Sequence, residues 1–165
     1  MKSLREVIHK EHKFIVLKIV LVLLLLYFVL LHLGFIGYPE FMVKWFFNAN
    51  KSRFERIRDR MLENNTTHDH IYAMSGDSTM TKDSDSAFIL YVGQYEEISE
   101  NDGDVDFRLS SFFEGDDAVC GISYKQSSAV VFDEYVNDKV GYHYECISGN
   151  WYLRTKLDSD DIPKG

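Results

Sequence analysis

Any chemistry done by this chain would have to come from two cysteines, three of its histidines and a run of alternating aspartates. Cys120 and Cys146 both fall on strand-like alternations with their side chains expected inward, and an even cysteine count in an exported domain suits a disulfide. In a plain meander, however, their strands flank a third and lie about 10 Å apart, beyond the roughly 7 Å that a disulfide tolerates. The bond therefore requires another strand order or two facing layers, and two buried thiols are the alternative. A thiol buried among apolar residues is a poor nucleophile, so no catalytic cysteine is expected.

His68 and His70 flank Asp69 and share one face of a strand, with His143 as a possible third ligand. A closed metal site needs three or four ligands, so solvated linker residues are the expectation. Asp102, Asp104 and Asp106 imitate the start of a calcium loop, but Phe107 stands where its glycine belongs and Phe113 where its bidentate acid belongs. No Ser-x-x-Lys, Gly-x-Ser-x-Gly, His-Glu-x-x-His or phosphate-binding glycine loop occurs. The expectation is a non-enzymatic protein without cofactor or metal. Its acidic loops, Asp102, Asp104 and Asp106 with Glu114, Asp116 and Asp117, are then the candidate contact groups for a protein partner.

The element that positions everything else is the stretch from Phe14 to Ile36, FIVLKIVLVLLLLYFVLLHLGFI. Between Ile19 and Tyr38 it carries no charge. At 1.5 Å per residue that length crosses a hydrocarbon core of roughly 30 Å, so residues 14–38 are expected to form a transmembrane helix behind a cytoplasmic tail, 1–13. A cleaved signal peptide has a shorter apolar run and a small-residue cleavage site, and this run ends instead in GFIGYP. Lys18 lies within a turn of one end, where its stem can reach the headgroups.

Residues 39–62 follow as a juxtamembrane amphipathic helix, with Pro39 suited to its first turn. Val43, Phe47, Asn50, Phe54, Ile57 and Met61 recur at helical spacing and form one seam. The seam is expected to dock on the protein's own sheet, to pair with a partner helix or a second copy, or to lie along the membrane. Tyr38, Trp45 and Phe46 sit where aromatic rings anchor a span.

The remainder, 63–157, reads as an antiparallel β-rich domain, with a polar tail at 158–165. Expected strands are His70–Met74, the apolar run Ala87–Tyr95 as a central strand, the alternation around Val105, Phe107 and Leu109, Ala118–Tyr124, Ala129–Val136, Val140–Ile147 and Trp151–Leu157. A hairpin at Gly149-Asn150 would pair Ser148 with Trp151, Cys146 with Leu153 and Tyr144 with Thr155. The fold class is α+β.

Charge is divided between the halves. Residues 1–61 hold 11 Lys and Arg against 5 Asp and Glu, and residues 62–165 hold 7 against 21, which together make the net charge of −8. Such an acidic domain repels nucleic acid and favours a basic protein partner beside the bilayer. Basic residues flank both ends of the span, so they do not orient it. A short tail before a long domain favours the domain outside, in the periplasm of a bacterial inner-membrane protein.

A span running into an amphipathic helix and then an antiparallel sheet with two cysteines resembles a type IV pilin or pseudopilin in outline. Lys13-Phe14 replaces that family's Gly-Phe junction, and Lys18 stands at its glutamate. The helix-then-sheet order also resembles the periplasmic NTF2-like domains of secretion-channel subunits. The functional expectation is a membrane-anchored binding protein, most concretely an immunity-type inhibitor of a toxin acting at the envelope. The alternative is a structural subunit of an envelope or secretion assembly, with a homo-oligomer built through the juxtamembrane helix.

Overall fold

Residues 4–32, 38–63, 70–72, 83–109, 120–127, 133–135, 140–157 and 162 are described by the structure, a computed structural model. The chain divides into two units, Met1–Ile36 and Gly37–Gly165. The first is α1 (Leu4–His32), whose His12–Leu31 portion has a mean hydropathy of 3.1. It is long and apolar enough to cross a membrane. Its large apolar side chains from Phe14 to Val29 are largely exposed, so they mark no single buried stripe.

The second unit begins with α2 (Glu40–Glu63). The Pro39 carbonyl accepts from the N–H groups of Met42 and Val43, which starts the helix one residue later than expected. Asn50 leaves helical geometry (φ −123°, ψ 16°) and its side-chain amide donates to the Phe46 carbonyl at 3.0 Å, so α2 kinks there. On either side of the kink Val43, Phe47, Phe54, Ile57 and Met61 are buried, with Asn50 half-buried between them. They pack on the sheet of the same chain. Phe54 lies 4.7 Å from the Phe107 ring, and Phe47 lies 5.2 Å from Trp151. With its seam filled in this way, α2 has no room there for a partner helix.

That sheet is antiparallel, with seven strands among the described residues, in the order β1-β2-β3-β4-β7-β6-β5. They are β1 (His70–Tyr72), β2 (Tyr95–Asn101), β3 (Asp104–Leu109), β4 (Cys120–Tyr124), β5 (Asp133–Tyr135), β6 (Gly141–Ser148) and β7 (Trp151–Lys156). The last strand inserts between β4 and β6, so the strand order is not a plain meander.

Two further expectations are corrected. Ala87–Tyr95 is not a central strand: α3 (Ser84–Ala87) runs into a π-turn, Phe88–Val92, before β2 starts at Tyr95. Asp83 caps it by accepting from the N–H groups of Asp85 and Ser86. A short apolar run has no period that separates a buried strand from a buried helical turn. Here Ile89 and Leu90 turn inward, and Tyr91 and Val92 remain exposed.

The β6–β7 hairpin keeps Ser148 opposite Trp151, but an irregularity between Cys146 and Ser148 shifts the register by one. Cys146 therefore faces Tyr152 and Glu145 faces Leu153. A one-residue shift moves every side chain beyond it to the other face. Cys146 is consequently exposed instead of inward, and Glu145 faces α2, where Lys44 binds its carboxylate.

Candidate functional site

Alternation along the strands gives the sheet two unlike faces. The face under α2 carries Val105, Phe107 and Leu109 from β3, Ile122 from β4, and Trp151 and Leu153 from β7, all buried. On the opposite face the cross-strand register aligns Glu97, Arg108, Gly121, Arg154 and Tyr144 in one row across β2, β3, β4, β7 and β6. Ser99, Asp106, Ser123, Tyr152 and Cys146 form the next row.

This second face is ionic and aromatic. Arg108 donates to Glu97 at 3.0 Å and lies 3.9 Å from Asp106, while Ser123 donates its hydroxyl proton to Asp106. Arg154, only 8 % exposed, places its guanidinium carbon 3.5 Å from the centre of the Tyr142 ring. Lys125 lies 4.6 Å over Tyr144, whose hydroxyl donates to Glu134 at 2.7 Å. Burial pushes the Tyr144 hydroxyl up, Arg154 opposes this, and Asp106 and Glu134 add to it, so the group is a neutral donor. A side chain at Gly121 would place its Cβ 2.3 Å from the Phe107 carbonyl oxygen, so the two arginines are separated by bare backbone.

The acidic residues singled out from the sequence divide into three groups. Asp102 is exposed at the β2–β3 turn, with φ of 51° followed by 83° at Gly103, the left-handed pair a tight hairpin needs. Asp104 is held by Lys125 at 3.1 Å and accepts from the Gln126 N–H at 2.9 Å. Asp106 belongs to the ionic face. Of these three candidate contact groups, Asp104 and Asp106 already lie beside cations of the same chain, and Asp102 alone has no cation beside it in the described contacts. Glu114, Asp116 and Asp117 lie outside the described residues.

Cys120 and Cys146 are free thiols on β4 and β6, with β7 between them. The candidate disulfide is corrected because one thiol points toward α2 and the other away from it. Burial, and then the Glu40 carboxylate, push the Cys120 thiol up to about 12, so it is protonated and unreactive at neutral pH. His143 pairs with Asp133 at 2.7 Å on the exposed end of the sheet, and His68 lies outside the described residues. No group of three metal-binding side chains occurs among the described residues.

No protein-family model matches this chain, and neither a curated protein nor a solved structure matches it. Among the described carboxylates Glu97, Asp106 and Glu145 lie against cations, whereas buried Glu100 keeps one oxygen without a hydrogen-bond partner, and the buried thiol, Cys120, is neutral. The arrangement can hold charge and offer hydrogen bonds to a bound surface.

Residues that sequence reasoning passed over are Arg154, Tyr142, Tyr144 and Glu97. A signal for part of this face was present: in Trp151-Tyr-Leu-Arg154 the apolar residues alternate with Tyr152 and Arg154, and in Asp104-Val-Asp-Phe-Arg108 with aspartate and arginine. The register between β4 and β7, which brings the two arginines into one row, was not readable from either strand alone.

Proposed function

We propose that this chain is a membrane-anchored, non-enzymatic binding protein in which α1 crosses the bilayer and the acidic sheet domain faces the periplasm. The observation that carries this reading is the distribution of charge. Each arginine of α2 already sits on a carboxylate: Arg53 and Arg56 on Asp85, Arg58 on Asp59, and Arg60 on Asp83. Lys44 and Arg108 are likewise engaged, on Glu145 and Glu97. With 7 Lys and Arg against 21 Asp and Glu in residues 62–165, the surplus left for the surface is negative.

Such a surface steers a basic partner toward the bilayer and rejects nucleic acid. The most concrete form is an immunity-type inhibitor that binds a toxin acting at the envelope, with Asp102 among its contact groups. The test is coexpression of the full chain with each exported protein encoded beside it. Protection from growth arrest, with binding that weakens as salt is raised, is the expected result. Failure to protect against or bind any of them refutes the inhibitor reading.

A further inference from the structure

We propose that the sheet domain carries a second membrane contact, formed by Phe41, Trp45, Tyr91 and Val92, which seats in the interfacial layer of a lipid bilayer. The inference rests on the reading that α1 crosses that bilayer. These four side chains are 69, 69, 58 and 60 % exposed. Every other large apolar side chain recorded as that exposed among the described residues belongs to α1. Exposed apolar groups of this size, gathered from two separate elements, are unusual on a surface that faces only water.

The elements meet at one cavity. The first turns of α2 and the π-turn enclose a space of about 150 Å³ bordered by Tyr38, Met42, Trp45, Phe46, Val92 and Leu109. Phe46 stacks on Phe88 across the junction, with ring centres 6.2 Å apart and planes within 9°. Tyr38 donates its hydroxyl proton to Gln94, which ties the chain just before α2 to the short connection between the π-turn and β2. The cavity is much smaller than the several hundred Å³ of a typical small-molecule site, and its lining is apolar. It suits the end of an acyl chain better than a polar metabolite.

The choice of occupant follows from chain length and side-chain chemistry. Only residues 33–39 separate the end of α1 from the start of α2. Fully extended, that connection reaches at most roughly 30 Å, so Phe41 and Trp45 cannot leave the neighbourhood of a bilayer that α1 crosses. Trp and Tyr are the side chains that favour the headgroup boundary, with an apolar body and a polar tip. The net negative charge of the domain opposes attraction to anionic headgroups, so the contact is an apolar one that a zwitterionic bilayer satisfies.

Tryptophan fluorescence tests this directly, because the chain has two tryptophans, Trp45 in the patch and Trp151 in the core, and none in α1. The full chain is reconstituted in phosphatidylcholine vesicles containing lipid brominated near the headgroup end of its acyl chains. Quenching is compared between the parent protein and Trp45→Phe, and membrane insertion is read in parallel by flotation after carbonate washing. The expected result is loss of the Trp45 emission and an unchanged Trp151 emission, with the loss reduced by Phe41→Asp together with Val92→Asp. Inserted protein whose Trp45 is not quenched overturns the second contact and leaves the span intact. Protein that does not float with the vesicles overturns the spanning reading and the contact that rests on it. Shielding of Trp45 accompanied by cross-links between copies assigns the patch to a second copy and overturns the lipid assignment.

Discussion

The two long helices are built from similar numbers of turns but solve opposite problems. In α1 the apolar residues surround the helix and none of those from Phe14 to Val29 is buried, whereas in α2 they follow one seam and the sheet covers them. Helical propensity does not separate the two; the angular spread of apolar side chains does. A helix that is apolar all round must find an apolar surrounding that its own chain does not supply. Phe41 and Trp45 are the exception that joins the cases, since they lie on α2 and are exposed like α1.

The comparison breaks most strongly if α1 is given charge. Leu21→Arg with Leu25→Arg adds two arginines on one helical face and is expected to cost about 5–7 kcal/mol of insertion. Carbonate extraction should then release the chain from membranes, while the near-ultraviolet signal of the sheet domain is retained. Release accompanied by loss of that signal would contradict the independence of the two units.

Next in size is Phe54→Ala. Phe54 is fully buried and touches the rings of Phe47, Tyr95, Phe107 and Trp151, so its loss is expected to cost about 3–5 kcal/mol. Denaturant titration should show a lower midpoint for the domain with membrane retention unchanged. A midpoint equal to that of the parent would mean that the seam is not the core.

Smaller effects come from the surface where α2 meets α3. Arg56 holds the Asp85 carboxyl below its usual range with two hydrogen bonds, and Arg53 adds an ion pair. Burial alone would raise Asp83, but the Ser86 N–H and Arg60 outweigh it and hold its carboxyl low. With both folded values depressed, the stabilisation is whole above about pH 4 and is lost as pH falls through the lower folded values. Thermal melts of Asp83→Asn and Asp85→Asn should be less sensitive to acid than the parent, and parallel acid profiles would remove this contribution.

The smallest perturbation is chemical. At neutral pH a maleimide should modify the exposed Cys146 and leave Cys120 unmodified until the domain is unfolded. Two thiols that become reactive only after reduction would restore the disulfide.

How much of this was legible follows from which signals are local. The apolar span, the α2 seam and the alternation of Val105, Phe107 and Leu109 each repeat within one segment, and each could be read directly. The β2–β3 hairpin also has a local signal in Asp102-Gly103, but the alternating aspartates that surround it resemble the start of a calcium loop as much as a turn. By contrast, β2 was hidden because Glu97, Ser99 and Glu100 are polar yet buried. Its burial depends on partners such as Arg108, which belong to another strand.

The same reasoning explains the candidate site. The row from Glu97 through Arg108 and Arg154 to Tyr144 exists only once β7 has inserted between β4 and β6. The exposure of Cys146 depends on a single irregularity in one hairpin, which the spacing around Gly149-Asn150 did not reveal.

The central claim, a sheet domain held outside by a membrane-crossing α1, is tested most directly by topology. Reporters active only outside or only inside are fused after Gly165 of the full chain. The account predicts activity of the outside reporter alone. Activity of the inside reporter alone would contradict it, and would leave the acidic domain on the cytoplasmic side, where a toxin acting from outside could not meet it.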